Sequence, residues 1–86
     1  MISSYQLRAA RSMLGLTQTE LAGLAGVSIP TLKRVEGTGI GPVSPRAVAL
    51  VRTALERQGV VFIDADGELG PGVRQSLPRS VISAHD

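Results

Sequence analysis

Apolar residues recur at helical spacing through the first two thirds of the chain and then change period. Leu7, Ala10 and Leu14 share one face at i, i+3 and i+7, and Arg11 lies in the same stripe. Ser3 followed by Gln6 forms a capping box, and Ile2 with Leu7 a hydrophobic staple, so the first helix begins there and ends at Gly15-Leu16. Thr17 with Glu20 repeats the capping box and starts a second helix at Gln18. That helix is short. Gly26 falls where a helix end needs a residue able to take positive φ, and Ser28 then caps a third helix with Pro30 in its first turn. Ser44-Pro45 opens a fourth, whose stripe of Ala47, Val48, Leu50, Val51, Ala54 and Leu55 ends at Gly59.

Beyond Gly59 the helical period is gone. Val60-Val61-Phe62-Ile63 is β-branched and aromatic, the composition of a strand. Asp64-Ala65-Asp66-Gly67 reads as a turn, and Glu68-Leu69 as the start of a return strand before Gly70-Pro71-Gly72 interrupts it. A two-stranded hairpin is marginal alone, so it needs cover from the helices or from a second subunit. Asp64, Asp66, Gly67 and Glu68 also suggest a calcium loop, but the remaining ligands and the closing glutamate are missing, which favours the turn. From Val73 through Leu77, Val81 and Ile82 no period emerges, and an extended or poorly ordered tail is expected. The expected organisation is mainly α: four helices over residues 1–58, a β-strand or hairpin over 59–72 serving as a dimerisation element, and a tail over 73–86.

The run from Thr17 to Gly37 joins two helix starts, a glycine turn and an apolar wedge of Leu21, Ala25, Val27, Leu32 and Val35. Ala22 falls where the two helices come closest, so a methyl group is expected there. These features at this spacing suit a helix-turn-helix, in which one helix braces over the DNA backbone while the next projects its start into the major groove. An antiparallel helix pair within a small bundle is the competing reading of the same pattern.

The residues Leu7, Arg11, Gly15-Leu16-Thr17-Gln18, Glu20-Leu21-Ala22, Gly26-Val27-Ser28, Thr31-Leu32 and Val35-Glu36-Gly37 together resemble the phage-repressor/Cro-like (XRE) helix-turn-helix family over about residues 3–58. The resemblance implies a four-helix repressor-like domain in which Arg11 pairs with Glu36. Periodicity alone says only that Arg11 is inward and needs a partner; phosphate binding by Arg11 is the alternative. Relatives continue into a fifth helix and carry basic residues in the loop after the third helix. This chain departs on both counts, with a strand after Gly59 and a loop of Thr38-Gly39-Ile40-Gly41-Pro42-Val43.

The resemblance implies a sequence-specific double-stranded-DNA-binding transcriptional regulator of repressor type, acting as a homodimer on a palindromic operator. Ser28, Ile29, Pro30 and Thr31 would then face base edges, Arg34 would reach a guanine, and Gln18, Thr31, Lys33 and Thr38 would grip the backbone. Val60, Val61, Phe62 and Ile63 would join two subunits. The alternative is an antitoxin or interaction module with a protein partner docked on acidic Asp64, Asp66 and Glu68 and the apolar tail.

Composition sharpens this in four ways. With 86 residues and only Tyr5 and Phe62 as aromatics, there is room for one domain with an aliphatic core and none for a separate catalytic cleft. The only histidine, His85, stands beside the last residue, no nucleophile has a base at sensible spacing, and no enzyme, cofactor or metal site is expected. Absence of cysteine, of a bilayer-length apolar run and of a signal pattern points to a soluble cytoplasmic protein with no membrane partner. The charge is uneven. Up to Gln58 seven basic residues face three acidic ones, giving +4, and from Gly59 two basic face four acidic, giving −2, which sum to the net +2. The basic part holds the helix-turn-helix, where phosphates would be met.

Overall fold

The computed structural model describes residues 2–77, in which α1 (Ser4–Met13), α2 (Gln18–Ala25), α3 (Ile29–Val35) and α4 (Pro45–Arg57) precede strands β1 (Val60–Ile63) and β2 (Gly72–Gln75). Each helix starts at a side-chain cap. The Ser3 hydroxyl accepts from the Gln6 amide at 3.2 Å while the Gln6 side chain accepts from the Ser3 amide at 2.9 Å. Thr17 and Glu20 repeat this reciprocal pair at 3.0 and 2.9 Å. The bonds from the Thr17 backbone N–H and hydroxyl hold the Glu20 carboxyl below the usual carboxylate range. Ser28 and Ser44 cap α3 and α4, each with a proline in the first turn. Gly26 takes φ 71°, the left-handed value that ends α2 and turns the chain into α3.

Leu7, Leu21, Leu32, Val51 and Leu55, drawn from all four helices, are almost fully buried together. Burying one such side chain stabilises by about 1.5–3 kcal/mol. Helices of eight and seven residues such as α2 and α3 are too short to persist on propensity, so this shared core holds them in place. Ala10 and Ala22 are also buried, and at Ala22 the carbonyl accepts both the Gly26 and the Val27 amides, making the turn compact.

β1 and β2 form an antiparallel hairpin with Val60 opposite Gln75, Val61 opposite Arg74, Phe62 opposite Val73 and Ile63 opposite Gly72. The return strand therefore lies at Gly72–Gln75, not at Glu68-Leu69, and residues 73–75 belong to the hairpin, not to a tail. The cause is local competition. The Asp66 carboxylate accepts from the Glu68 and Leu69 amides at 2.8 and 2.7 Å, and the Asp66 amide donates to the Leu69 carbonyl at 2.9 Å. Backbone groups that a strand would need are used inside the turn, and Pro71 has no N–H to offer a ladder. The remainder of the expected tail, residues 78–86, lies outside the described residues, as does His85.

Strand alternation divides the hairpin residues. Val60 and Phe62 pack against the chain's own core, whereas Val61 and Ile63 point outward, 49% and 39% exposed. Phe62 is further covered by Arg52 of α4, whose guanidinium carbon is 5.5 Å from the ring centroid. Val60 and Phe62 thus lie on the face of β1 that meets the helices, and Val61 and Ile63 are the strand residues that remain outward. Gln6 completes the attachment from the other side. Nearly fully buried, it donates its side-chain amide to the Ile63 and Gly72 carbonyls at 3.2 and 3.1 Å while its oxygen still caps α1. One side chain ties the start of the first helix to the far end of the hairpin.

Candidate nucleic-acid interface

The inner side of α3 is fixed by a polar network at its C-terminal end. The Glu36 carboxylate, fully buried, accepts from Arg11 Nε at 2.7 Å, Arg11 Nη2 at 3.1 Å and Gln18 Nε2 at 3.1 Å. Arg11 spends a further N–H on the Leu16 carbonyl at 3.1 Å. Its side chain keeps 23% exposure, so only one member of the ion pair is wholly removed from water. A two-pronged guanidinium and an amide together satisfy the buried carboxylate and fasten α1, α2 and α3 to one another. Gln18, expected on the DNA backbone, has its side-chain amide engaged here; its place at the start of α2 leaves its backbone N–H near the surface end of that helix.

With Leu32, Val35 and Glu36 turned inward, the rest of α3 faces out. Ile29, Pro30 and Lys33 are exposed, as is the cap Ser28, while Thr31 and Arg34 are half-buried along one flank. Thr38 is exposed, but its hydroxyl donates to the Lys33 carbonyl at 3.2 Å and so closes the end of α3. Lys33 and Arg34 are the basic residues of the last turn. Because helical side chains lean toward the N-terminus, Arg34 reaches back beside Thr31 toward the leading turn.

Beside this flank a cleft of about 270 Å³ separates α3 from the start of α4, lined among others by Thr31, Arg34, Val43, Ser44 and Arg46, with no carboxylate in its wall. Arg46 was not singled out by sequence reasoning. Its signal was its position in the first turn after Ser44-Pro45, which sets it next to the recognition helix once α4 packs on α3. Two guanidiniums on an otherwise apolar and hydroxylic cleft, next to the exposed start of α3, make a surface suited to polyanions. Among the described residues no group of three or more His, Cys, Asp or Glu is placed to hold a metal ion, and no described helix is long and apolar enough to cross a membrane.

A short bracing helix, a left-handed glycine turn and an outward-facing second helix define a helix-turn-helix DNA-binding domain. The family model described as a helix-turn-helix domain matches residues 5–61, well over half of the chain, and the chain belongs to that family. No curated protein matches the chain. The match ends inside β1, so β2 and the turn before it lie beyond the part that the family defines.

Proposed function

We propose that the protein is a sequence-specific double-stranded-DNA-binding transcriptional regulator of repressor type that acts as a homodimer on a palindromic operator. The observation that carries this reading is the outward face of α3, held rigid from behind by the buried Glu36 network. Ser28, Ile29 and Pro30 lead into the major groove; Ile29 and Pro30 have no side-chain donors there and pack on thymine methyls, while Arg34 reads a guanine through O6 and N7. Lys33 and Arg46 meet phosphates, with Thr38, Gln18 and helix-start amides assisting. The half-site therefore combines T-rich steps with at least one G·C pair.

A reader of a palindrome needs a two-fold dimer that sets its recognition helices about 34 Å apart. The outward Val61 and Ile63 of β1 support dimerisation through the hairpin, with Val60 and Phe62 supporting the strand from beneath. A protein partner is the second reading, favoured by Leu69, which is 70% exposed beside Asp66 and Glu68. Selection of bound duplexes from a random DNA pool tests the proposal. A recovered palindrome with T-rich half-sites containing G·C is expected, and recovery of no preferred sequence overturns sequence-specific reading.

A further inference from the structure

Arg34 is held at both ends in a way that its role as a surface cation does not require. The loop after α3 runs against its stem: a Cβ at Gly39 would stand 2.8 Å from the Arg34 amide nitrogen and 3.1 Å from its Cγ, and a Cβ at Gly41 would stand 3.1 Å from its Cδ. Contacts that close mean that side chains at 39 and 41 would intrude on the space the arginine uses. The two glycines thus form a slot for the aliphatic stem, and Gly41 at φ 115° also adopts backbone that other residues rarely take. At the far end Nη2 donates to Thr31 Oγ1 at 3.0 Å. The same oxygen accepts from the Ser28 hydroxyl at 2.8 Å, and Ser28 Oγ in turn accepts from the Thr31 amide at 3.2 Å. Ser28, Thr31 and Arg34 therefore form one chain of hydrogen bonds along the flank of the recognition helix, anchored in the helix cap itself.

We infer that Thr31 is the positioning residue for Arg34: its hydroxyl, with the Gly39–Gly41 slot, fixes the guanidinium before DNA arrives and thereby sets the base preference that Arg34 imposes. The inference rests on the proposed base-reading role of Arg34. A free arginine spreads over many rotamers and must be ordered on binding, and a side chain already ordered gives up less freedom for each bond it makes to a base. Both acceptor sites of Thr31 Oγ1 are used within the protein, which leaves its own hydroxyl proton as its remaining polar group. The hydroxyl is thereby committed to the arginine first. Bidentate geometry gains most from such ordering because both donors must arrive together, so the effect falls on discrimination at one base pair more than on general affinity.

The test uses the full chain, the duplex recovered from the random pool, and that duplex with the G·C pair read by Arg34 replaced. Thr31→Val keeps the β-branched shape and removes the hydroxyl; Thr31→Ser keeps it. Thr31→Val is expected to lower the preference for the G·C pair roughly three- to tenfold, the span that one such hydrogen bond supports. The slope of affinity against salt should stay unchanged, and Thr31→Ser should restore most of the preference. In the Arg34→Ala background Thr31→Val should change nothing. Equal losses in both backgrounds would show that Thr31 touches DNA directly and overturn the inference while leaving base reading by Arg34 intact. An unchanged preference in Thr31→Val, with a thermal midpoint like that of the wild type, overturns it as well. If Arg34→Ala itself relaxes no single base pair, the base-reading role fails and the inference with it.

Discussion

The back of α3 and the back of the hairpin are both sealed by a polar side chain buried among apolar ones, yet they are held in different ways. Behind α3 a charged carboxylate is buried completely and receives three donors from two other helices. Behind the hairpin a neutral amide, Gln6, makes two bonds to backbone carbonyls that also belong to the strand pair. A buried charge that loses its partner is far costlier than a neutral donor lost from a carbonyl that keeps other partners. The attachment of α3 is therefore the stiffer and more fragile one. The hairpin is the looser one.

Arg11→Ala is the substitution expected to separate the two regions most, because it leaves the Glu36 carboxylate buried with Gln18 as its one remaining side-chain donor. It should destabilise the fold by roughly 3–5 kcal/mol in denaturant melts. Glu36→Ala should cost less, since the stranded Arg11 is 23% exposed and can turn toward water. The double mutant should lose less than the sum of the singles, and additive losses would show that the pair contributes no coupling.

Gln6→Ala should cost less than either, about 1–3 kcal/mol from the α1 cap and the hairpin bonds together. Hydrogen exchange makes the distinction: amides of β1 and β2 should exchange faster while those of α2 and α3 keep their protection. Uniform acceleration across the chain would mean that hairpin and helices open as one unit. Val61→Asp, placed on the outward face of β1, should change folding stability by about 1 kcal/mol or less. Its expected effect is on association, with monomers in sedimentation that retain the helical signal and bind the full palindrome far more weakly. A dimeric Val61→Asp would move the subunit contact elsewhere.

The smallest effect belongs to Glu20. Its carboxyl is held below the usual range by Thr17, so the ionised form favours the folded state. That contribution is complete above the ordinary carboxylate range and is lost as pH falls through the lowered folded-state value. Glu20→Gln should therefore lower the thermal midpoint slightly at neutral pH and change it little at acid pH, flattening the acid side of the stability curve, as an acid titration of the midpoint would show.

The same contrast explains what could be read from the chain before its fold was known. The helix starts were legible because each cap and its partner are three residues apart, as with Ser3 and Gln6 or Thr17 and Glu20, and the turn because Gly26 stands between two apolar periods. The core followed from period alone. Gln6 was legible only as a cap partner, since the carbonyls that its amide reaches lie 57 and 66 positions away. The place of the return strand was not legible, because Glu68-Leu69 has the look of a strand start whereas Asp66 captures both of their amides. At the candidate site, the exposed start of α3 followed from the inward positions of Leu32 and Val35. What did not follow was which polar tips are already engaged: Gln18 on Glu36, Thr38 on Lys33, Arg34 on Thr31. Such pairings depend on how helices pack, which spacing within one helix does not encode.

If the outward face of α3 reads bases, Arg34→Ala should remove discrimination between sequences before it removes general affinity. Binding of wild type and variant would be measured against the selected duplex and against random duplex over a series of salt concentrations. A loss of about 1–3 kcal/mol on the selected duplex, relaxed preference at one G·C pair, and little change on random DNA are expected. Equal losses on both duplexes, with the salt slope reduced by about one phosphate's worth, would place Arg34 on the DNA backbone and not on a base.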